Sequence, residues 1–389
     1  MARLLLVEGG VKTIPKTTAS ALSRKLRVGF VPLVDCAPLV MAQELGLFAK
    51  QGLKVTLSRE LGWATVRDKV IFGELEASHA VAGLPLAATL GLSGLASPCL
   101  TGMVLNLHGN GITLSQRLWK AGVRDAETLR AWYAGLENPV RLVFGIVSPF
   151  SSHHYLLRDW LTKAGLVAGR DYELAVVPPP QMPYNLAVET LDGYCAGEPW
   201  NSIAQQGGTG VCIASSAELQ PGHAEKVLMV RESFSVERSE EHVRLLSALL
   251  ESCALCDDPD QHGQIAQVLS KKQYLGVPSG VILSSLRGQV GTTPGRDRGV
   301  WNFHVFSRHD ANRPSAAKAW LVARKLASAG VFPATGVSRL ESLSQSLFRE
   351  DIFEAARLHV QAKKAPAVEP LQNSKTPTHR TPHEQPLLA

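Results

Sequence analysis

Residues 141–161 read RLVFGIVSPFSSHHYLLRDWL, and this stretch contains a strand, a tight junction and a helix in direct succession. The run Leu142–Val147 consists of β-branched and large apolar residues and is short, which predicts one buried strand. Pro149 ends the strand, and two serines follow it that can cap a helix. Apolar residues then recur at helical spacing, so we predict a helix over 151–164.

Two adjacent histidines, His153 and His154, fall in the first turn of this predicted helix. Free backbone N–H groups and the helix dipole favour an anion at such a helix start. A charged imidazole would be unfavourable there, so a histidine that faces a ligand should be a neutral N–H donor. From the residues alone, each histidine is explained equally well as a ligand-facing residue and as a surface residue of the first turn.

The alternation of strands and helices occurs twice along the chain. The first unit is predicted as strand 26–32, helix 38–50, strand 53–57, helix 63–73 and strand 78–82. The second is predicted as strand 141–147, helix 151–164, strand 173–177, helix 181–189 and strand 191–196. Two such units predict an α/β protein with two lobes, each a mainly parallel sheet flanked by helices, and a cleft between them.

Ligands of open α/β sheets bind beyond the carboxyl ends of the strands. Four segments are therefore expected at the crevice: Pro32–Cys36, Leu61–Trp63, Pro149–His153 and Gly197–Trp200.

The predicted domain boundaries follow from the same order. Lobe 1 comprises residues 26–112 and 205–361, and lobe 2 comprises residues 113–204. The later elements expected in lobe 1 are strands 211–214 and 227–230 and the appended helices 240–256, 262–269, 316–329 and 352–361. Residues 1–25 are predicted to be a flexible leader, and residues 362–389, rich in Lys, Pro, Thr and Gln, a disordered tail.

Composition limits the class of protein. The chain has 389 residues, of which 45% are hydrophobic and 19% charged, so it has room for two domains. The net charge is +6, but Lys and Arg are spread out, which predicts a modest preference for anions and no direct nucleic-acid binding. The apolar run Leu4–Val7 is too short for an export signal, and no run approaches the roughly 18 residues of a membrane span. We therefore predict a cytoplasmic protein without membrane contact.

The six cysteines are scattered in apolar contexts, which is typical of reduced, buried thiols. Cys253 and Cys256 form a C-x-x-C pair at the end of a predicted helix, and no second pair exists that would complete a zinc site. We predict that both are structural.

Motifs that support catalysis are absent from the sequence. It contains no phosphate-binding loop, nucleophile elbow, H-E-x-x-H, EF-hand loop or dinucleotide-binding G-x-G-x-x-G. Asp192 with Glu198, or Ser151 with His153, could be paired as acid and base or as nucleophile and base, but no third residue is placed to orient either pair. We predict no enzyme activity, catalytic residue, metal or cofactor.

Five segments together carry a family resemblance. They are LDGYCAGEPWN (191–201), PPPQM (178–182), GWATVRDKV (62–70), NLHGNGITLS (106–115) and FHVFSRHDANRPSAAKAWL (303–321). Over about residues 26–360 the chain resembles the nitrate- and bicarbonate-binding substrate proteins of ABC transporters. The resemblance implies a two-lobed, hinge-closing fold of the type 2 periplasmic binding proteins. Without an export signal, the chain is most similar to the cytoplasmic nitrate and nitrite sensors of assimilation operons, the NasS type.

The resemblance also implies a nitrate site, which matching motifs carry over to Trp63, Asn110, Gly111, His153 and Lys226. Nitrate is a flat, monovalent ion that only accepts hydrogen bonds, so it needs donors all round. Lys226 would supply the charge, His153 and Trp63 ring N–H groups, and Asn110 an amide N–H. Bicarbonate-binding members favour an acidic residue with a metal in place of Lys226, which favours nitrate here. From the residues alone, Trp63 could instead be an aromatic residue on the surface of a lobe, and Lys226 could be a solvent-exposed residue flanking a strand.

Four further residues, Gly197, Glu198, Pro199 and Trp200, form a fingerprint of the hinge or cleft. A carboxylate repels nitrate, so we assign Glu198 to hinge or inter-lobe hydrogen bonding and not to the ligand.

The resemblance implies a sensor that holds an RNA-binding transcription antiterminator, of the NasT type, when empty and releases it when nitrate or nitrite binds. Two alternatives stay open. The chain could be the substrate-binding component of a nitrate-, bicarbonate- or sulfonate-type ABC transporter, or a thiamine-precursor or other small-molecule enzyme on this fold, since fold does not determine function.

Overall fold

A computed structural model describes residues 25–92, 94–290, 299–300, 302–332 and 337–364. The strands are β1 (Leu26–Phe30), β2 (Val55–Arg59), β3 (Ala77–Val81), β4 (Cys99–His108), β5 (Asn110–Ser115), β6 (Leu142–Ile146), β7 (Tyr172–Val176), β8 (Gly193–Gly197), β9 (Gly210–Ser215), β10 (Ala224–Arg231) and β11 (His304–Val305). The α-helices are α1 (Ala37–Glu44), α2 (Leu47–Lys50), α3 (Trp63–Ile71), α4 (Leu84–Thr89), α5 (Gln116–Lys120), α6 (Ala126–Ala134), α7 (Ser152–Lys163), α8 (Met182–Ala187), α9 (Trp200–Gln206), α10 (Ser216–Leu219), α11 (Glu232–Glu237), α12 (Ser239–Cys256), α13 (His262–Leu269), α14 (Ser279–Leu286), α15 (Ala316–Ser328), α16 (Val337–Leu347) and α17 (Glu350–Lys364). Short 3₁₀ turns cover Val34–Cys36, Pro179–Gln181 and Pro259–Gln261.

The strands form two sheets, so the predicted two-lobed α/β fold is confirmed. Their orders are β11-β4-β10-β3-β1-β2 and β7-β6-β8-β5-β9. The two predicted β-α-β-α-β units supply the parallel parts, β3-β1-β2 and β8-β6-β7. Each sheet then continues with antiparallel strands. The sheets are therefore mixed, and the expectation of mainly parallel sheets is wrong, because the strands that carry the chain between the lobes run antiparallel.

Strands β4 and β5 lie outside the two predicted units. Every residue of both strands is buried. A strand covered on both faces shows no alternation of polar and apolar residues, so its sequence lacks the usual signal of period two.

Strand β9 corrects the predicted domain boundaries. It pairs with β5 in the second sheet, whereas residues 205–361 were all expected in lobe 1. Strand β5 also begins at Asn110 and belongs entirely to the second sheet, so lobe 2 starts before residue 113. The boundary was misplaced because β9 follows the second unit and pairs with a strand that precedes it, an arrangement without a local sequence signal.

Over the described residues, the chain crosses between the sheets twice, first at Gly109, between β4 and β5, and then over residues 216–223, between β9 and β10. Gly109 has φ = +99°, and a Cβ there would lie 2.5 Å from Cε1 of His304. This crossing therefore requires glycine. The fingerprint 197–200, predicted at the hinge or cleft, lies at neither crossing.

The remaining expectations concern the chain ends, membrane contact and the cysteines. The predicted leader and tail lie outside the described residues except for Lys25 and residues 362–364, which complete α17. Within the described ranges, none of the helices has the length and apolar character needed to span a bilayer. All six cysteines are free and buried, and burial raises the pKa of both Cys253 and Cys256.

Candidate functional site

A cluster of buried charges lies where the two lobes meet. The ammonium of Lys226, on β10, lies 2.7 Å from Asp35 Oδ2 and 2.6 Å from Glu225 Oε1, and all three side chains are shielded from solvent. Burial opposes each charge, but the mutual attraction outweighs it. The attraction between the opposite charges raises the pKa of Lys226 and holds the pKa values of Asp35 and Glu225 below their usual range, so all three groups are ionised.

The position of Glu225 depends on a β-bulge. Adjacent residues of a regular strand point to opposite faces, so Glu225 and Lys226 would be separated. Between β10 and β4, however, the register shifts at Ala224/Lys226, where two residues of β10 are set against one of β4. Glu225 is the extra residue, and its carboxylate reaches its neighbour's ammonium.

This geometry corrects the role predicted for Lys226. Its charge is already compensated by two carboxylates, so it does not bring an unpaired positive charge to a ligand. An ammonium has three N–H donors, of which one donates to Glu225 Oε1, while Asp35 Oδ2 at 2.7 Å is an ion-pair contact. The alternative of a solvated strand flank is also wrong, because the side chain is fully buried.

Trp63, the first residue of α3, lies beside the ammonium. Its ring centroid is 5.6 Å from Lys226 Nζ, and its Nε1–H has no hydrogen-bond partner among the described residues. His79 on β3 packs against Trp63 and places its Nε2 2.9 Å from Asp35 Oδ1. Only 2% of Trp63 is exposed, so it is not a lobe-surface aromatic.

The lobe 2 side of the cluster is formed by the first turn of α7, where Ser151 caps the helix by accepting a hydrogen bond from the His154 N–H. His153 is fully buried, and neither of its ring nitrogens has a hydrogen-bond partner among the described residues. Its Nε2 is 3.8 Å from Glu225 Oε1, which is too far for a hydrogen bond. Burial lowers the pKa of His153 to about 4, so the ring is a neutral donor.

The neighbouring histidine differs from His153 in its contacts. The Nδ1 of His154 lies 2.9 Å from the carbonyl oxygen of Pro149, so that nitrogen is engaged locally. Of the two histidines that the sequence could not separate, His153 is the one that joins the buried cluster.

Asn110 reaches the cluster through a hydrogen-bonded chain. Its Nδ2 donates to Ser152 Oγ at 3.1 Å, and the Ser152 hydroxyl donates to Glu225. Its Oδ1 has no partner among the described residues. Gly111, the next residue of β5, pairs with Ala196 and Ser215 of the neighbouring strands, and a Cβ there would fall 2.6 Å from Cys212 Sγ.

The fingerprint 197–200 connects the lobes by hydrogen bonds. Trp200 donates its ring N–H to Pro32 O at 3.1 Å, and the carbonyl of Glu198 accepts from the Val34 N–H at 2.8 Å. The Glu198 carboxylate accepts from Ser285 Oγ at 3.0 Å. Burial raises the pKa of Glu198, and these contacts make it an inter-lobe hydrogen-bonding residue.

Several residues of the cluster were not predicted as site residues: Asp35, His79, Ser152, His223 and Glu225. Asp35 and Ser152 lie within segments expected at the crevice, so the strand-end rule provided a signal for them. Glu225 required knowledge of the bulge, and His79 lies within a strand, where nothing local marks it. Among the described residues no three or more His, Cys, Asp or Glu side chains are grouped so that they could hold a metal ion.

Comparison with known proteins agrees with this architecture. The sequence model of the NMT1-like family matches residues 19–270. The chain is 37% identical over 86% of its length to the nitrate import ATP-binding protein NrtC of Synechocystis sp., and 38% identical over 82% to the bicarbonate transport ATP-binding protein CmpC of the same organism. These matches span 50% and 48% of the relatives, so the chain corresponds to about half of their length.

Relatives of a second kind are binding proteins. The chain is 30% identical over 77% of its length to the nitrate/nitrite binding protein NrtA of Synechocystis sp., of which it covers 64%. The crystal structure of the periplasmic nitrate-binding protein NrtA from Synechocystis superposes with a TM-score of 0.81 at 25% identity, covering 88% of this chain and 91% of that one. The chain therefore belongs to the NMT1-like family and, within it, to the nitrate- and bicarbonate-type substrate-binding group of ABC transport systems, with the two-lobed fold of periplasmic binding proteins.

Proposed function

We propose that this protein is a cytoplasmic sensor that binds nitrate or nitrite between its lobes and thereby regulates nitrate assimilation. The observation that carries the proposal is a set of buried ring donors, Trp63 Nε1–H and the His153 imidazole, that have no hydrogen-bond partner within the described part of the chain and lie around the ammonium of Lys226. A buried donor without a partner is costly, so such a set is typical of a ligand site. Relatives named as nitrate-binding proteins support this ligand.

The donors suit a planar acceptor-only anion. Trp63 donates from lobe 1 and His153 from lobe 2, and Lys226 keeps one N–H for the ligand. Nitrate can accept from all of them and has no hydrogen to donate. Because the donors come from both lobes, the ligand contributes to holding the lobes together.

A ligand that binds one arrangement of the lobes more tightly shifts the equilibrium toward that arrangement. In the proposal, an RNA-binding transcription antiterminator of the NasT type prefers the other arrangement, so nitrate releases it through reciprocal coupling. The resemblance to the sensors of assimilation operons supports this partner.

A second candidate function is a component of an ABC importer for nitrate or bicarbonate. It is favoured by the 37% and 38% identity to halves of proteins named as nitrate import and bicarbonate transport ATP-binding proteins. In this alternative the cleft binds the transported anion or reports its concentration to the importer.

We expect nitrate to stabilise the wild-type protein and His153→Ala to weaken its binding about tenfold to a hundredfold, because a buried hydrogen bond to an anion is lost. His154→Ala is the matched control, since this residue lies in the same helical turn but hydrogen-bonds to Pro149. Calorimetric titration gives the affinities, and thermal melts give a stabilisation that follows RT ln(1 + [L]/Kd).

Sulfate serves as the comparison ligand, because a tetrahedral dianion has the wrong shape and charge for these donors. Stabilisation by sulfate equal to that by nitrate, or equal loss of affinity in the two histidine variants, would contradict the proposed site.

Pull-down from the native host with and without nitrate separates the two candidate functions. A sensor should retain a soluble RNA-binding partner without nitrate and release it with nitrate, whereas His153→Ala should retain it at nitrate concentrations that release it from wild type. Recovery of importer subunits in place of such a partner would favour the transport candidate.

A further inference from the structure

His223 lies in the second crossing between the lobes, and both of its ring nitrogens face acceptors. Its Nδ1 is 2.7 Å from the carbonyl oxygen of Gln220, and its Nε2 is 3.1 Å from Glu225 Oε2. A carbonyl oxygen can only accept, so Nδ1 must carry a hydrogen. In a neutral imidazole, Nε2 would then be an acceptor facing a carboxylate oxygen, which is also an acceptor, and no hydrogen bond could form between them. The geometry therefore requires one more proton in the His223–Glu225 pair.

The contacts of Glu225 place that proton on the imidazole. Its Oε1 accepts from Lys226, and its Oε2 accepts from the hydroxyl of Ser152, whose own oxygen accepts from Asn110. The ammonium holds the pKa of Glu225 well below its usual range despite burial, so the carboxylate is ionised. His223 is then an imidazolium that donates from both nitrogens.

A second histidine next to it, His108, forms hydrogen bonds through both of its ring nitrogens without an extra proton. His108 is the last residue of β4, directly before the first crossing, and its ring centroid is 5.1 Å from that of His223. Its Nδ1 lies 3.0 Å from the carbonyl oxygen of Asn302, and its Nε2 accepts from the Gly222 N–H. One donor and one acceptor make a neutral ring, in agreement with burial that lowers the pKa of His108 to about 4.

These assignments determine the charge of the anion site. Asp35 and Glu225 are negative, Lys226 and His223 are positive, and burial keeps His79, His153 and His304 neutral by lowering their pKa values. The site is then neutral before a ligand enters. Loss of the His223 proton would leave a net negative charge in a desolvated cleft and oppose any anion.

We infer that His223 is the second cation of the anion site, and that a monovalent anion binds only while His223 is protonated and paired with Glu225. The inference rests on the proposed function and adds to it a residue that determines affinity, together with a coupling of ligand binding to pH. His223 lies in a crossing segment, so the same proton also ties that segment to the anion site.

Among the described residues, the other titratable or charged groups that interact with the pair are those of His79, His108, His153, Tyr155, Cys195 and Lys226. Burial raises the pKa values of Tyr155 and Cys195 well above their usual range and lowers those of His108 and His153 to about 4. None of these four groups therefore changes charge between pH 5.5 and pH 9, and Lys226 remains protonated because its pKa is raised.

The test is calorimetric titration of the full-length protein with nitrate from pH 5.5 to pH 9. For the wild type, the nitrate Kd should rise with pH and approach a slope of roughly tenfold per pH unit, the value for one linked proton.

His223→Gln should weaken binding about tenfold to a hundredfold even at low pH, because Glu225 loses its charged donor. Glu225→Gln and the double variant His223→Gln/Glu225→Gln should both bind nitrate with a Kd that is independent of pH, since neither needs the proton. His309→Asn, at an exposed histidine, is the control that should follow the wild type.

Failure of the coupling can be told apart from failure of the proposed function. Nitrogen-15 spectra of histidine-labelled protein report the protonation of His223 without any ligand, and urea midpoints show whether each variant is folded. A wild-type Kd that is independent of pH, a neutral His223 at pH 7, or a double variant that binds no better than His223→Gln would overturn the inference. Nitrate binding by none of the folded proteins at any pH would overturn the proposed function and with it the coupling, whatever the spectra show.

Discussion

Lys226→Met should destabilise the protein by about 3–5 kcal/mol, because it leaves the carboxylates of Asp35 and Glu225 buried without their shared cation. Both carboxylates are within 2.7 Å of the ammonium, and all three groups are shielded from solvent. Urea denaturation measures the effect as a lower midpoint with an unchanged slope.

Lys50→Met is the matched control for this substitution. Lys50 also pairs with a carboxylate, Glu251 at 2.8 Å, but 59% of its side chain is exposed. An exposed ion pair contributes at most about 1 kcal/mol, so this variant should unfold close to the wild-type midpoint. Equal midpoints for the two variants would show that the Lys226 cluster is not a buried charge network. The result also governs ligand measurements, since weak nitrate binding by Lys226→Met is informative only where that protein is folded.

The second large effect is loss of stability in mild acid. Burial lowers the pKa values of four histidines to about 4: His108, His153, His242 and His304. An unfolded histidine has a pKa of about 6.5, so between about pH 6.5 and pH 4 the unfolded chain binds protons that the folded protein does not. Stability therefore falls as the pH falls through this window.

The expected loss of stability follows from the difference in bound protons between the unfolded and the folded protein. Between pH 6 and pH 5 each of these histidines should lower the free energy of unfolding by about 1.2 kcal/mol, and the four together by about 5 kcal/mol. Urea titrations at the two pH values measure the change. His242→Gln, in α12 and outside the anion site, should reduce it by about a quarter, whereas His309→Gln, at an exposed position, should leave it as in the wild type. Stability that is unchanged over this interval would mean that the buried histidines are solvated or paired in the folded protein.

The local sequence pattern was sufficient to predict much of the architecture. The apolar run Leu142–Val147 and the helical spacing after Ser151 correspond to β6 and α7, and the same alternation predicted the first β-α-β-α-β unit. These elements were predictable because burial on a sheet or along one helix face imposes a period on neighbouring residues. The strand-end rule also placed Asp35 and Ser152 in segments expected at the crevice.

Other features depended on contacts between residues far apart in the chain. Strands β4 and β5 are buried on both faces and have no period, and β9 joins the second sheet through a partner about 100 residues earlier. A pattern confined to one segment cannot contain such pairings.

The sequence by itself determined two α/β lobes, the strand-to-helix turn with its pair of histidines, and the residue types suited to an anion, because each follows from local periodicity or side-chain chemistry. Only the tertiary structure decided the electrostatics of the site. Asp35 and Lys226 are 191 positions apart and meet through their Oδ2 and Nζ atoms, and Glu225 turns toward Lys226 because β10 bulges there. A buried charge takes its ionisation from whatever lies within a few ångströms, and those distances exist only once the lobes have folded against each other.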